Sequence, residues 1–324
     1  MINIPKPLLY VSAFSTVIGG AYIFKETVTG KSYKIKTSAA KKVIIITGAN
    51  TGLGKEAARL FAIKNATVIM ACRDMEKCEK SRVELVLQSR NKRLYCRKCD
   101  LSSQESIREF ANNFKKEFDH LDALINNAGV MRCKQSITKD GIETHLGVNY
   151  IGHFLLTHLL LDCLKKSAPS RIVNVTTIQH KNSAINKDDF NMTKTYNEEA
   201  AYNQSKLAIL MYTTKLAEIL KDSGVTVNAV YPGVCTTDLS RHLPYYTSVS
   251  RYFVKPMAWL FLKSASKGAQ TLIHAAIEPQ LENVTGQFLS NFEQIPMPVQ
   301  VKDQKNIEWL WKVSEKWTRI NVKK

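Results

Sequence analysis

The chain has 324 residues, enough for one large α/β domain plus a short appendage, and its apolar fraction of 44% is that of an ordinary folded protein. A net charge of +18 suits a nucleic acid, an anionic membrane surface or an acidic small ligand. No nucleic-acid motif accompanies the charge, which is spread along the chain, so a basic solvated surface is the better reading and no nucleic acid is expected as a partner. The seven cysteines (Cys72, Cys78, Cys96, Cys99, Cys133, Cys163 and Cys235) form an odd, scattered set. That pattern reads as reduced thiols and argues against a disulfide framework. Cys96-x-x-Cys99 has no second pair and no nearby histidine, so no metal site is expected.

Residues 8–24 are apolar or small, without a charge. As a helix they would span about 26 Å, near the roughly 27 Å core of an endoplasmic-reticulum bilayer. A cleaved signal peptide is the alternative, with Gly19-Gly20-Ala21 as its cleavage site. An uncleaved anchor over 1–24 is preferred. Lys6 precedes the segment, whereas Lys25, Lys31, Lys34, Lys36, Lys41 and Lys42 follow it. That asymmetry puts the following domain in the cytosol. Residues 25–40 are then a basic linker that lies on anionic lipid, and the domain occupies 41–324.

Residues 43–46 are a β-branched run that suits a strand buried on both faces. Thr47-Gly-Ala-Asn-Thr-Gly-Leu-Gly54 follows at once, and an amphipathic helix opens behind it. A strand that turns through glycines into a helix N-terminus binds phosphate, because unpaired N–H groups and the helix dipole face the anion. Gly48 permits the turn, Gly52 lets the backbone approach a pyrophosphate, and Gly54 lets the helix sit close on the sheet. Asn50, Thr51 and Leu53 complete the cofactor loop.

Strands and helices then alternate: strands over 67–71, 93–96, 123–126, 171–176, 225–230 and 287–289, helices over 75–88, 103–118, 141–166, 199–221 and 264–277. This order predicts an α/β fold, a single doubly wound parallel sheet of Rossmann type with helices on both faces. Ligands bind beyond the C-terminal ends of its strands. Ser102 or Ser103 is the expected N-cap of the third domain helix.

The motifs fall at those ends. Arg73, 19 residues past Gly54, stands where an acidic residue would grip the ribose of NAD; an arginine accommodates the 2′-phosphate of NADP, with Asp74 beside it. Asp100-Leu101 closes the third strand, where an adenine is met, and Asn126-Asn127-Ala128-Gly129 closes the fourth. Tyr202 and Lys206 are one helical turn apart and share a face. An ammonium one turn away favours ionisation of a phenol whose reference pKa is about 10.

Together these motifs, with Tyr231-Pro232-Gly233, make the chain from 41 to about 290 resemble the short-chain dehydrogenase/reductase family. Met70-Ala-Cys-Arg-Asp-Met, Val148-Asn-Tyr-Ile-Gly-His-Phe and Pro232-Gly-Val-Cys-Thr-Thr-Asp-Leu are similar to the retinol dehydrogenase 11–14 type. The resemblance implies Tyr202 as proton donor, Lys206 as holder of the nicotinamide ribose, Asn149 as holder of a relay water, and Thr237 on the carboxamide beside Pro232, Gly233 and Val234. Thr177 stands where that family usually has serine and keeps the hydroxyl. The implied activity is NADP(H)-dependent interconversion of a lipophilic alcohol and its carbonyl, with retinol/retinal the leading substrate. A steroid, polyprenyl or lipid-derived aldehyde is the nearest rival, and a silent cofactor-binding membrane protein the more distant one. The implied setting is the endoplasmic-reticulum membrane, with a homodimer as a possible assembly. Residues 181–199 and 236–263 are the expected substrate loops, the second apolar and basic, either as a lid touching membrane or as a helix packed on the core.

Overall fold

The computed structural model describes residues 6–30, 32–178, 183–235 and 260–320. Val43–Thr47 forms β1, buried at every position because sheet neighbours flank it and helices cover both faces. Gly52–Ile63 forms α2, Thr67–Cys72 β2, Met75–Ser89 α3, Leu94–Lys98 β3, Gln104–Glu117 α4 and Ala123–Asn126 β4. Gly152–Lys166 is α5, Ser170–Val175 β5, Glu198–Ile219 α6, Val225–Tyr231 β6 and Ala265–Ile277 α7. The chain closes with Phe288–Ser290 as β7, Glu293–Ile295 as β8 and Gln304–Thr318 as α8. The eight-stranded sheet runs β3-β2-β1-β4-β5-β6-β7-β8, parallel except for the last pair. The order reverses between β1 and β4, and that switch point opens the ligand crevice. One apolar cluster fills each face, around Leu124, Phe154 and Leu207 on one side and Ile44, Phe61 and Leu272 on the other.

Ser103 caps α4 by accepting from Ser106 N–H. The long helix expected over 141–166 starts later. Gly141 turns at φ +77, and the Glu143 carboxylate accepts from the N–H groups of His145 and Leu146, so 141–143 belong to a turn and its cap. Leu146–Ile151 is then a π-helical turn that carries Asn149.

Lys6–Val28 forms a helix, α1. Ile18, Tyr22, Ile23, Phe24 and Val28 on it are exposed. Among the described residues no helix is long and apolar enough to cross a membrane. Its C-terminal end is tied to the domain: Lys267 Nζ reaches Glu26 at 2.9 Å and Thr29 Oγ1 at 3.1 Å, and Phe24 meets Phe261 edge to face. Part of the basic linker expected over 25–40 packs on the domain where it is described. Ile35 and Ala39 are buried, and Tyr33 stacks on Phe292 while donating to Glu278.

Two further differences concern cysteine and the tail. Cys78 of α3 is disulfide-bonded to Cys96 of β3, which corrects the expectation of reduced thiols for that pair. Scattered spacing conceals that α3 packs back on β3. The tail, without an assigned role in the sequence, is α8; its Trp311 packs on Phe154 and Tyr212, and Trp309 and Trp317 clamp Phe190 of the loop before α6.

Candidate active site

The glycine-rich turn is shaped by contacts no other residue permits. Gly48 has φ +65, and a Cβ there would touch Ala128. A Cβ on Gly54 would lie 2.3 Å from Gly48 O and 2.6 Å from Asn127 Nδ2, so α2 sits directly on the β1 and β4 ends. Thr51, the residue before α2, makes no side-chain cap, which leaves first-turn N–H groups for an outside acceptor. Thr47 joins the two strand ends. Its Oγ1 accepts from Asn127 N–H and Ala128 N–H, each at 2.9 Å, and faces His153 Nε2 at 2.9 Å. Asn127 Nδ2 donates back to Thr47 O at 2.8 Å.

Arg73 is exposed at the end of β2, and among the described residues it pairs with no carboxylate. Its neighbour is committed elsewhere. Asp74 caps α3, accepting from Lys77 N–H at 3.0 Å, and that bond holds its carboxyl below the usual range. Asp100 likewise turns inward on its own loop, accepting from Ser102 N–H and Oγ. Leu101 is buried, and its carbonyl lies where a Cβ on Gly152 would fall.

α6 brings Tyr202 and Lys206 to the ends of β4 and β5. Both are buried, and Lys206 Nζ lies 5.9 Å from the Tyr202 ring centre. The ammonium donates to Val175 O at 3.0 Å, not to the phenol. Burial lowers the Lys206 pKa to about 8 and pushes that of Tyr202 above its ordinary value of 10. Tyr202 therefore stands protonated near neutrality, as a proton donor must. Thr177 is buried two residues beyond β5, and Thr176 holds that end by donating to Lys206 O at 3.1 Å.

Asn149 closes the floor. Its Oδ1 accepts from Val130 N–H at 2.8 Å; its Nδ2 donates to Val130 O at 3.0 Å and Ser205 Oγ at 2.9 Å. A Cβ on Gly129 would meet Asn149 Oδ1 at 3.2 Å and Lys206 Nζ at 3.8 Å, so the fourth strand end lies between them. Pro232, Gly233 and Val234 follow β6; Gly233 has φ +89, and Val234 O accepts from Lys263 N–H. Thr237 and most of the expected loop over 236–263 lie outside the described residues. A cleft of about 460 Å³ opens between the loop before α6 and its first turns, lined by Ser183, Asn186, Met192, Tyr196, Asn203 and others, Tyr202 not among them.

Sequence reasoning missed a buried polar chain beneath the site. Asn126 Nδ2 donates to Asn174 Oδ1 at 2.8 Å and Thr157 Oγ1 at 3.0 Å, and Asn174 Nδ2 to Thr213 Oγ1 at 3.0 Å. The available signal was an asparagine inside the apolar fifth strand. His153 was also missed. It bonds Asn149 O at 2.9 Å, and burial lowers its pKa to about 4, so it is neutral.

Residues 42–245 match the short chain dehydrogenase family. Retinol dehydrogenase 13 of Mus musculus is 45% identical over 307 residues, 94% of this chain and 92% of that protein. Retinol dehydrogenase 12 of Homo sapiens is 42% identical over 306 residues, 94% of this chain and 95% of that protein. In structure the chain is similar to an uncharacterized protein of Mycobacterium Paratuberculosis, with a TM-score of 0.73 and 30% identity over 91% of this chain and 100% of that one. The chain belongs to the short chain dehydrogenase family and is an oxidoreductase of the retinol dehydrogenase type.

Proposed function

We propose that the protein interconverts a lipophilic alcohol and its aldehyde or ketone with NADP(H), retinol/retinal being the leading pair. The observation that carries this reading is the burial of Tyr202 and Lys206 on one face of α6, against the ends of β4 and β5. The strand ends fit a dinucleotide: the uncapped turn of α2, the close approach at Gly54, and the narrow gap at Gly129. Arg73 favours the 2′-phosphate of NADP(H), because Asp74 is spent on capping α3. When bound, NADPH supplies the hydride. Tyr202 gives its phenolic proton to the carbonyl oxygen, and the Thr177 hydroxyl polarises that carbonyl. Lys206 at about pKa 8 is largely charged at pH 7; once turned from Val175 O it steadies the phenolate left behind. The relatives' printed names support a retinoid substrate.

The test is Tyr202→Phe, which keeps the ring and removes the proton. Reduction of all-trans-retinal by NADPH in detergent should fall by about 10²–10⁴-fold while NADPH binding survives. Equal turnover by the variant would remove Tyr202 from the chemistry. A parent that binds NADPH and reduces no carbonyl offered would favour the silent-scaffold reading.

The exposed apolar residues of α1, with Phe261 against Phe24, support attachment to a membrane beside the site. Lysine asymmetry supports a cytosolic domain at the endoplasmic reticulum. The Cys78–Cys96 bond favours the opposite face, since disulfides persist in oxidising compartments. Asn65-Ala-Thr67, Asn191-Met-Thr193 and Asn283-Val-Thr285 are glycosylation acceptors. They should stay bare in the cytosol, and a glycosidase-sensitive mass shift would put the domain in the lumen.

A further inference from the structure

Next to Tyr202 lies a set of groups the redox chemistry does not use. The Glu143 carboxylate accepts from three donors: His145 N–H at 2.9 Å and His145 Nδ1 at 2.8 Å on Oε1, and Leu146 N–H at 2.8 Å on Oε2. Both residues are buried. A carboxylate that only accepts leaves the imidazole proton on Nδ1, so Nε2 is the unprotonated nitrogen. That nitrogen accepts from the Cys133 backbone N–H at 3.4 Å and lies 3.5 Å from the Cys133 Sγ. A thiol, an imidazole and an orienting carboxylate in this order make up an activated nucleophile.

The surroundings hold the cysteine and leave it reachable. Tyr196 OH donates to Cys133 O at 2.7 Å, and Arg132 is paired with Glu199 at 2.9 Å. Cys133 itself is half-buried. The His145 ring lies 6.2 Å from the Tyr202 ring, so the thiol stands at the edge of the site. The charged and titratable groups around it include Glu143 and His145 before α5, Arg132 and Lys134 on its own loop, Tyr196 just before α6, and Glu198, Glu199 and Tyr202 in the first turns of α6. The other described thiols are placed differently. Burial raises Cys72 and Cys99 to about 12 and Cys235 to about 11, it also raises Cys163, which is buried on α5, and Cys78 and Cys96 are bonded to each other.

We propose that Cys133, His145 and Glu143 form a covalent capture site for small α,β-unsaturated aldehydes with an unhindered β-carbon, a class that leaves out retinal, whose β-carbon carries a methyl group. The Cys133 proton passes to His145 Nε2, and the sulfur lone pair forms a bond to the aldehyde's β-carbon. The C=C π pair moves onto the α-carbon and carbonyl as an enolate, which takes the proton back from His145. The product is a thioether aldehyde, with every atom retained and no oxidant required. Capture needs no hydride transfer, so it stands apart from turnover.

The experiment exposes the full chain in detergent, without cofactor, to acrolein and separately to iodoacetamide, and locates adducts by peptide mass spectrometry. Cys133 should be modified first. A free thiol near pKa 8.5 is only about 1% thiolate at pH 6.5; transfer of the proton to His145 raises that fraction, offset in part by the thiolate's lower intrinsic nucleophilicity. The net expectation is labelling about fivefold faster at pH 6.5 than in His145→Gln, with the two rates converging by about pH 9.5. Acrolein should inactivate the parent, whereas Cys133→Ser should keep the activity it had before exposure. NADPH binding checks the fold of each variant, and Glu143→Gln, expected to slow labelling in the same direction, serves where His145→Gln does not fold. The proposal is overturned if Cys235 labels before Cys133, if the parent's Cys133 profile rises only near pH 8.5 like a free thiol, or if folded His145→Gln labels with the parental profile.

Discussion

Replacing Lys206 with methionine should stabilise the cofactor-free protein while disabling it. The lysine is buried, and its pKa drops from 10.5 to about 8. In the unfolded chain it keeps its ordinary value, so between pH 8 and 10.5 the unfolded state binds more protons and stability rises with pH. Below pH 8 the buried charge is a penalty of roughly 3 kcal/mol, at about 1.4 kcal/mol for each pH unit. Methionine fills nearly the same volume without that charge, but it leaves Val175 O without its 3.0 Å donor, at a cost of about 1 kcal/mol. Lys206→Met should therefore be more stable by about 2 kcal/mol at pH 7, with the gain shrinking as pH rises and turning into a deficit of about 1 kcal/mol only well above pH 10.5, where the lysine is neutral in both states. Urea unfolding of both proteins at pH 7, 8.5 and 10 reads the difference, and other titrating groups cancel in it. Catalysis should fall by at least the ~10²-fold expected of acid–base machinery. A variant that is less stable at pH 7, or whose deficit does not change with pH, would refute the account of a buried cation kept for function.

Gly54→Ala puts a methyl against the Gly48 carbonyl. It should cost about 1–3 kcal/mol, read as a lower Tm and weaker NADPH binding by fluorescence titration. Arg73→Ala should raise KM for NADPH far more than for NADH, and equal effects would sink the 2′-phosphate assignment. Thr177→Ser should retain kcat, because only the hydroxyl is required. Thr177→Val, nearly the same shape without it, should lower kcat.

Much of this protein follows from local pattern. The β-branched run at Val43–Thr47, the glycine spacing and the alternation of strand and helix are short-range signals, and parallel topology follows from them because strands joined by helices can pair in few ways. The one-turn spacing of Tyr202 and Lys206 is likewise local. What the tertiary structure decided involves partners far apart in sequence. The 2.6 Å approach of a Cβ at Gly54 to Asn127 Nδ2, the Asn126–Asn174–Thr213 chain, and the docking of Trp309 and Trp317 on Phe190 depend on how elements pack. The same is true of charge. Spacing alone offered Lys206 as a cation beside a phenol, but burial lowers its pKa and raises that of Tyr202, and it turns the ammonium to Val175 O. Nor does spacing show that Cys78 meets Cys96, or that the His145 ring turns back against Cys133. Dielectric and proximity belong to the folded chain, and periodicity carries neither.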